Sequence, residues 1–206
     1  MLRASEVVST DHSARAAGRG LRGADIAGRA LDGSKVLLFF LAVSIDLLIR
    51  GSKTDKFNQG ISKTHFRVGA GPGEAAAASP GADGGVLCVV QALEWYQLHA
   101  PERFAGGRHE NEPFLVWADG RPLTREDLQV VLGKAAVGCG EDPARFGSHS
   151  LRFGGASALW AAFQDSALVQ RWGRWKGESF HGYLWEGRDT AKGVATKMVA
   201  APVCVL

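Results

Sequence analysis

Apolar and polar positions along the chain predict a β-rich first third and a helical remainder. Residues 36–50 are apolar and rich in β-forming side chains, and turn chemistry follows them. Residues 57–68 can supply a second strand, so we predict a β-hairpin or small sheet with its turn near Lys53 and Thr54. Residues 9–34 are polar, rich in glycine, alanine and arginine and without a clear period, which predicts irregular surface.

Helical periodicity and capping signals predict five helices in the rest of the chain. Residues 86–99 have apolar side chains at the spacing of one helix face. Thr124 stands three residues before Asp127, a pattern close to a capping box, and predicts a helix to about Val137 that nearby glycines close. The other predicted helices cover residues 149–162, 166–172 (with Asp165 or Ser166 as cap) and 178–185.

The pattern as a whole predicts one α+β domain over residues 1–206 that is mainly helical. Residues 69–85 are low-complexity and predict a loop, and 193–206 form an apolar C-terminal tail without an assigned element. The longest apolar run, 36–49, contains Asp46 and is shorter than the about 20 apolar residues that a membrane span needs. We therefore expect no membrane partner.

Composition narrows the function only slightly. The 206 residues have a formal net charge of +3, and the pI near 8.9 permits nucleic-acid binding without arguing for it. The three cysteines form no C-x-x-C pair and the N-terminus has no apolar signal region, so we expect an intracellular protein with reduced thiols, nuclear if its source is eukaryotic.

Several common site motifs are absent or out of context. The stretch 18–23 matches G-x-G-x-x-G, but a polar segment precedes it where a dinucleotide site needs a strand. The sequence has no P-loop, H-E-x-x-H or G-x-S-x-G motif, and its six histidines are scattered without metal-ligand spacing. We therefore predict no cofactor, no metal and no small-molecule substrate.

One ordered constellation stands out in the second half of the chain. His149 and Arg152 are three residues apart, so on a helix they share one face. Two glycines follow at 154–155, each costing about 1 kcal/mol of helix stability relative to alanine, which suggests a close approach to the backbone. Trp175 offers an indole N–H donor, and Tyr183, one of two tyrosines, lies eight residues further on.

This constellation resembles the tyrosine recombinase, or phage integrase, family. The residues in its motifs are most similar to those of the Crypton-type recombinases of eukaryotic mobile elements. His149 and Arg152 match the H-x-x-R box, Trp175 stands at the position usually held by His or Trp, and Tyr183 stands at that of the nucleophile. Two upstream segments also fit: residues 2–6 resemble the first arginine motif, and 50–55 resemble the hairpin that carries the family's lysine. The six matching positions are Arg3, Lys53, His149, Arg152, Trp175 and Tyr183.

The resemblance implies the recombinase catalytic-domain fold and site-specific DNA breaking and rejoining. Negative charge accumulates on the non-bridging oxygens of the attacked phosphate. The planar, permanently charged guanidinium groups of Arg3 and Arg152 can stabilise that charge by donating hydrogen bonds to these oxygens. The Trp175 N–H can donate to the same phosphate. We expect the two arginines to lie within a phosphate's span of each other, on one open basic concavity.

The other three positions would carry the bond changes. Tyr183 would attack phosphorus to give a 3′-phosphotyrosyl link, with His149 as its proton-transfer partner. Lys53, on a hairpin tip, would protonate the leaving 5′ oxygen, although Lys56 could take its place. The implied partners are DNA and other recombinase protomers on it, and neither metal nor ATP is needed.

Each of these residues can also be interpreted as structural or surface, without a catalytic role. A single Tyr, Trp or His at helical spacing is more often structural, and Arg3 at a chain start is more often frayed surface. The family's usual N-terminal core-binding domain has no counterpart here, so we expect an N-terminally truncated member whose catalytic activity is uncertain. A catalytically inactive DNA-binding remnant is therefore the alternative function, and a type IB topoisomerase ranks lower.

Overall fold

The computed structural model describes residues 4–8, 20–51, 60–68 and 88–184, which form two compact units. The first unit contains the described residues up to Asp127, and the second contains those from Leu128 onward. The chain is α+β, with a four-stranded antiparallel sheet in the first unit. No helix among the described residues is long and apolar enough to cross a membrane.

The sheet of the first unit has the strand order β2-β1-β3-β4. Strands β3 and β4 pair along their whole length, from Ser44 opposite Phe66 to Ile49 opposite Ile61, which confirms the predicted hairpin. The predicted turn near Lys53 and Thr54 lies outside the described residues. The strands are β1 (Ile26–Arg29), β2 (Lys35–Val36), β3 (Ser44–Ile49) and β4 (Ile61–Phe66).

Two parts of this region differ from the prediction. Residues 26–29 were expected to be irregular surface, but they form β1 between β2 and β3, with Ile26 buried. Residues 36–50 are also not one strand, because a 3-10 turn (Phe39–Leu41) separates β2 from β3. This turn buries Phe39 and leaves Leu37 and Phe40 exposed, so the apolar run does not enter the core as a whole.

Among the described residues, the α-helices that lie wholly in the first unit are α1 (Ala4–Val7) and α2 (Val89–His99), and α2 confirms the helix predicted over 86–99. The core beside α2 is aromatic. Phe104 contacts both Phe39 and Phe114 edge-on, each with 5.1 Å between ring centroids. The Tyr96 hydroxyl donates to the Phe114 carbonyl oxygen over 2.8 Å, which ties α2 to this core.

Helix α3 (Arg125–Gly138) begins at the predicted capping box. Asp127 accepts the main-chain N–H of Thr124 over 2.9 Å, and the Thr124 hydroxyl accepts the N–H of Asp127 over 3.2 Å. Two donors that a helix N-terminus leaves open are thereby satisfied. Gly140, just beyond the helix, has a φ of +75°, a left-handed conformation that glycine adopts without strain.

The second unit is helical. Besides most of α3 and a short 3-10 turn (Pro143–Arg145), its described elements are α4 (Ser148–Phe163), α5 (Ser166–Gly173) and a 3-10 helix (Glu178–Tyr183). Helices α4 and α5 agree with the predicted helices to within one residue, and Asp165 caps α5 by accepting the Leu168 N–H over 2.9 Å. The last element is shorter than predicted and is a 3-10 rather than an α-helix. A core of Ala156, Val169 and Phe180 joins these last three elements.

Candidate functional site

Four of the six predicted site residues lie in the second unit, and the structure brings them together. His149 and Arg152 are in the first turns of α4, Trp175 follows α5, and Tyr183 ends the 3-10 helix. The other two, Arg3 and Lys53, lie outside the described residues, as does Lys56. The expected phosphate-sized spacing of Arg3 and Arg152 therefore stays a prediction.

The Tyr183 ring is the centre of the cluster. Its centroid is 5.1 Å from that of His149, 5.1 Å from that of Trp175 and 5.5 Å from that of Phe153. The rings are tilted against one another by 43° to 54°, within the range in which aromatic pairs attract. Three rings, two from α4 and one from the turn after α5, thus surround the side chain at the predicted nucleophile position.

Arg152 is buried at 4% exposure, which is unusual for an arginine. Its guanidinium lies over the Trp175 ring, 4.1 Å from Cζ to the ring centroid, and one of its terminal nitrogens donates to the Gly173 carbonyl oxygen. A planar cation fixed on one face by an aromatic ring and in its plane by a carbonyl has a defined orientation.

The turn after α5 gives Trp175 its place. The main-chain N–H of Trp175 donates to the Gln170 carbonyl oxygen over 3.0 Å, and the main-chain N–H of Arg174 donates to the Arg171 carbonyl oxygen over 3.3 Å. These bonds are those of a Schellman motif, in which the residue after the helix is left-handed. Arg174 fills that position with a φ of +58°, so the chain reverses there and folds the indole back over Gly173.

The side chains of α4 that contact the core and those that contact Tyr183 lie on different faces of the helix. Arg152 and Ala156, four residues apart, face α5 and the core, whereas His149 and Phe153, also four apart, face Tyr183. At the N-terminus of the helix, Ser150 accepts the Gly147 N–H over 3.0 Å, which fixes the turn that carries His149.

One sequence expectation at this site is not met at Gly154. We expected another group to approach the backbone closely at the two glycines after Arg152, but Gly154 is exposed and no described atom lies within 4 Å of a Cβ placed on it. Gly173 is closely approached at this site, because an added Cβ there would overlap the Trp175 ring. Gly173 lies two residues before Trp175 in the chain, and this spacing was the available sequence signal.

The described residues offer no alternative site built on a metal. Among them, no three His, Cys, Asp or Glu side chains are grouped so that they could hold a metal ion. No family model, curated protein or solved structure matches the chain.

Proposed function

We propose that this protein breaks and rejoins DNA through a 3′-phosphotyrosyl intermediate, and that its fold is the tyrosine recombinase catalytic domain. The observation that carries the proposal is the contact of Tyr183 with both His149 and Trp175, next to the oriented guanidinium of Arg152. The ordered motifs of the sequence supply the assignment of roles, and this cluster supports it.

The proposed reaction is a transfer of one phosphodiester bond. The Tyr183 oxygen attacks phosphorus and its proton passes to His149, while the bond from phosphorus to the 5′ oxygen breaks. Lys53 gives a proton to that leaving oxygen. Arg152 and the Trp175 N–H stabilise the charge that develops on the non-bridging oxygens, and Arg3 has the same role in the sequence-based assignment.

Rejoining reverses these steps. The 5′ hydroxyl of the same or another strand attacks the phosphotyrosyl phosphorus and releases Tyr183. The phosphotyrosyl bond conserves the energy of the broken phosphodiester bond, so strand exchange needs no nucleoside triphosphate.

A covalent-trapping experiment tests the proposal directly. Duplexes with one 5′-bridging sulfur between randomised flanks release a thiolate on cleavage, which religates poorly, so covalent adducts accumulate on any sequence the protein accepts. We expect a denaturant-resistant adduct, mapped by mass spectrometry to the peptide that contains Tyr183, and its loss in Tyr183→Phe.

The chain offers a matched control, because Tyr96 is its only other tyrosine. Tyr96→Phe should form the adduct as the wild type does. Absence of any Tyr183-linked adduct across the library, or an adduct that survives Tyr183→Phe, would contradict the proposed function.

A second candidate function, a DNA-binding remnant without activity, is favoured by one observation. The Arg152 guanidinium is buried and bonded to a main-chain carbonyl, as structural arginines are. For such a remnant, DNA binding should weaken with salt and survive both Tyr183→Phe and a folded Arg152→Lys variant, while the wild type forms no adduct. Failure to bind DNA at low salt would exclude it.

A further inference from the structure

A single stripe of α4 meets Tyr183. His149, Phe153 and Ser157 follow one another at intervals of four residues, so they lie along one face of the helix. The first two contact the Tyr183 ring, at 5.1 and 5.5 Å between centroids. The third contacts its main chain, because the Ser157 hydroxyl donates to the Tyr183 carbonyl oxygen over 3.1 Å.

The bond from Ser157 meets a need of the 3-10 helix. Tyr183 is the last residue of that helix, and the last carbonyls of a helix have no partner within it. A serine inside a helix can bond to the preceding turn of that helix, and the Ser157 hydroxyl donates to a residue 26 positions later in the chain. The end of the short helix is thereby tied to α4.

We propose that Ser157 is a positioning residue for Tyr183. Its bond restrains the Tyr183 main chain, and the two side-chain torsions then place the ring against His149 and Trp175. Gly177 precedes the 3-10 helix and Gly182 lies within it, and neither has a side chain that could hold the segment. The effect on catalysis rests on the proposed function, whereas the effect on the position of Tyr183 does not.

Fluorine NMR measures the position without DNA. Labelling with 3-fluorotyrosine gives two resonances, from Tyr96 and Tyr183, and Tyr183→Phe assigns them. Ser157→Val should shift or broaden the Tyr183 resonance and leave that of Tyr96, which lies in the other unit, unchanged. Threonine is branched at Cβ like valine but keeps the hydroxyl, so Ser157→Thr should keep the wild-type spectrum.

Two further variants keep the comparison interpretable. Ala158→Val places a valine on the exposed neighbouring position of α4, and it should leave both resonances in place. Ser157→Ala removes the hydroxyl without branching at Cβ, and it replaces Ser157→Val if the valine variant does not fold. A Tyr183 resonance that is identical in wild type and in the variants without the hydroxyl would overturn the proposal.

The trapping assay then tests the consequence for catalysis. Loss of the hydroxyl should slow adduct formation roughly five- to tenfold at saturating DNA, with DNA affinity unchanged and the rate restored in Ser157→Thr. A moved Tyr183 resonance with an unchanged adduct rate would overturn the catalytic part. A moved resonance in a protein whose wild type forms no adduct would support the positioning of Tyr183 and contradict the proposed function instead.

Discussion

The guanidinium of Arg152 lies over the ring of Trp175, 4.1 Å from Cζ to the ring centroid, and both residues depend on the turn after α5. Gly173 supplies the carbonyl that accepts from the arginine, and it also provides the space into which the indole folds. Desolvated cation–π pairs contribute about 2 kcal/mol. Gly173, which has no room for a side chain, therefore sets the geometry of two candidate catalytic residues.

Gly173→Ala should destabilise the protein. The added methyl overlaps the Trp175 ring, so either the indole leaves Arg152 or the turn opens. Overpacking of this kind costs about 1–3 kcal/mol, which urea denaturation measures as a lower midpoint. The adduct yield in the trapping assay should fall with it, because Trp175 and Arg152 move together.

Gly154→Ala is the matched control for that change. Gly154 is exposed inside α4 with open space around it, so alanine should raise the free energy of unfolding by about 0.5–1 kcal/mol. Equal effects of the two substitutions would show that helix propensity, rather than the contact with Trp175, decides the outcome at Gly173.

Asp127→Asn should destabilise the protein in a pH-dependent way. The Thr124 N–H, then the Arg121 guanidinium and the Thr124 hydroxyl, hold the pKa of the Asp127 carboxyl well below its usual value of 3.8. A folded pKa below the unfolded one means that the stabilisation is fully present above pH 3.8 and is lost as the pH falls further. The stability difference between wild type and variant should be constant from pH 5 to 7 and shrink below pH 4.

Glu126→Gln is the control for charge alone, because Glu126 lies exposed in the same first turn of α3. Its effect on the free energy of unfolding should be smaller than that of Asp127→Asn at pH 7. A stability difference for Asp127→Asn that does not change between pH 7 and pH 3 would contradict the capping role of the carboxylate.

The elements that the sequence predicted well are those with local causes. The Thr124 and Asp127 pair is a signal within four residues, and α4 and α5 have their own turn and capping residues. Strand β1 was missed because its four residues, Ile-Ala-Gly-Arg, have little strand propensity of their own. Its pairing with β2 and β3 and the bond from Arg29 to Asp46 are tertiary interactions that no local pattern shows.

The candidate site divides in the same way. The grouping of His149, Arg152, Trp175 and Tyr183 was predictable because an ordered motif marks it. The supporting contacts were missed because each uses a main-chain oxygen far along the chain, at Gly173 for Arg152 and at Tyr183 for Ser157. A carbonyl is present in every residue, so its use as an acceptor leaves no trace in the sequence.

Lys53 has a chemical test of its own role. If its ammonium protonates the leaving 5′ oxygen, Lys53→Ala should slow cleavage of ordinary DNA about 10²- to 10⁴-fold, the usual contribution of general acid catalysis. The same variant should cleave the 5′-bridging phosphorothiolate at nearly the wild-type rate, because a thiolate leaves without a proton.

Lys56→Ala, three residues further on, should leave both rates unchanged. Rescue by sulfur in Lys56→Ala rather than in Lys53→Ala would move the acid to Lys56. Loss of both substrates in Lys53→Ala would instead make Lys53 a DNA-binding residue, since a weakened grip on DNA affects an oxygen and a sulfur leaving group alike.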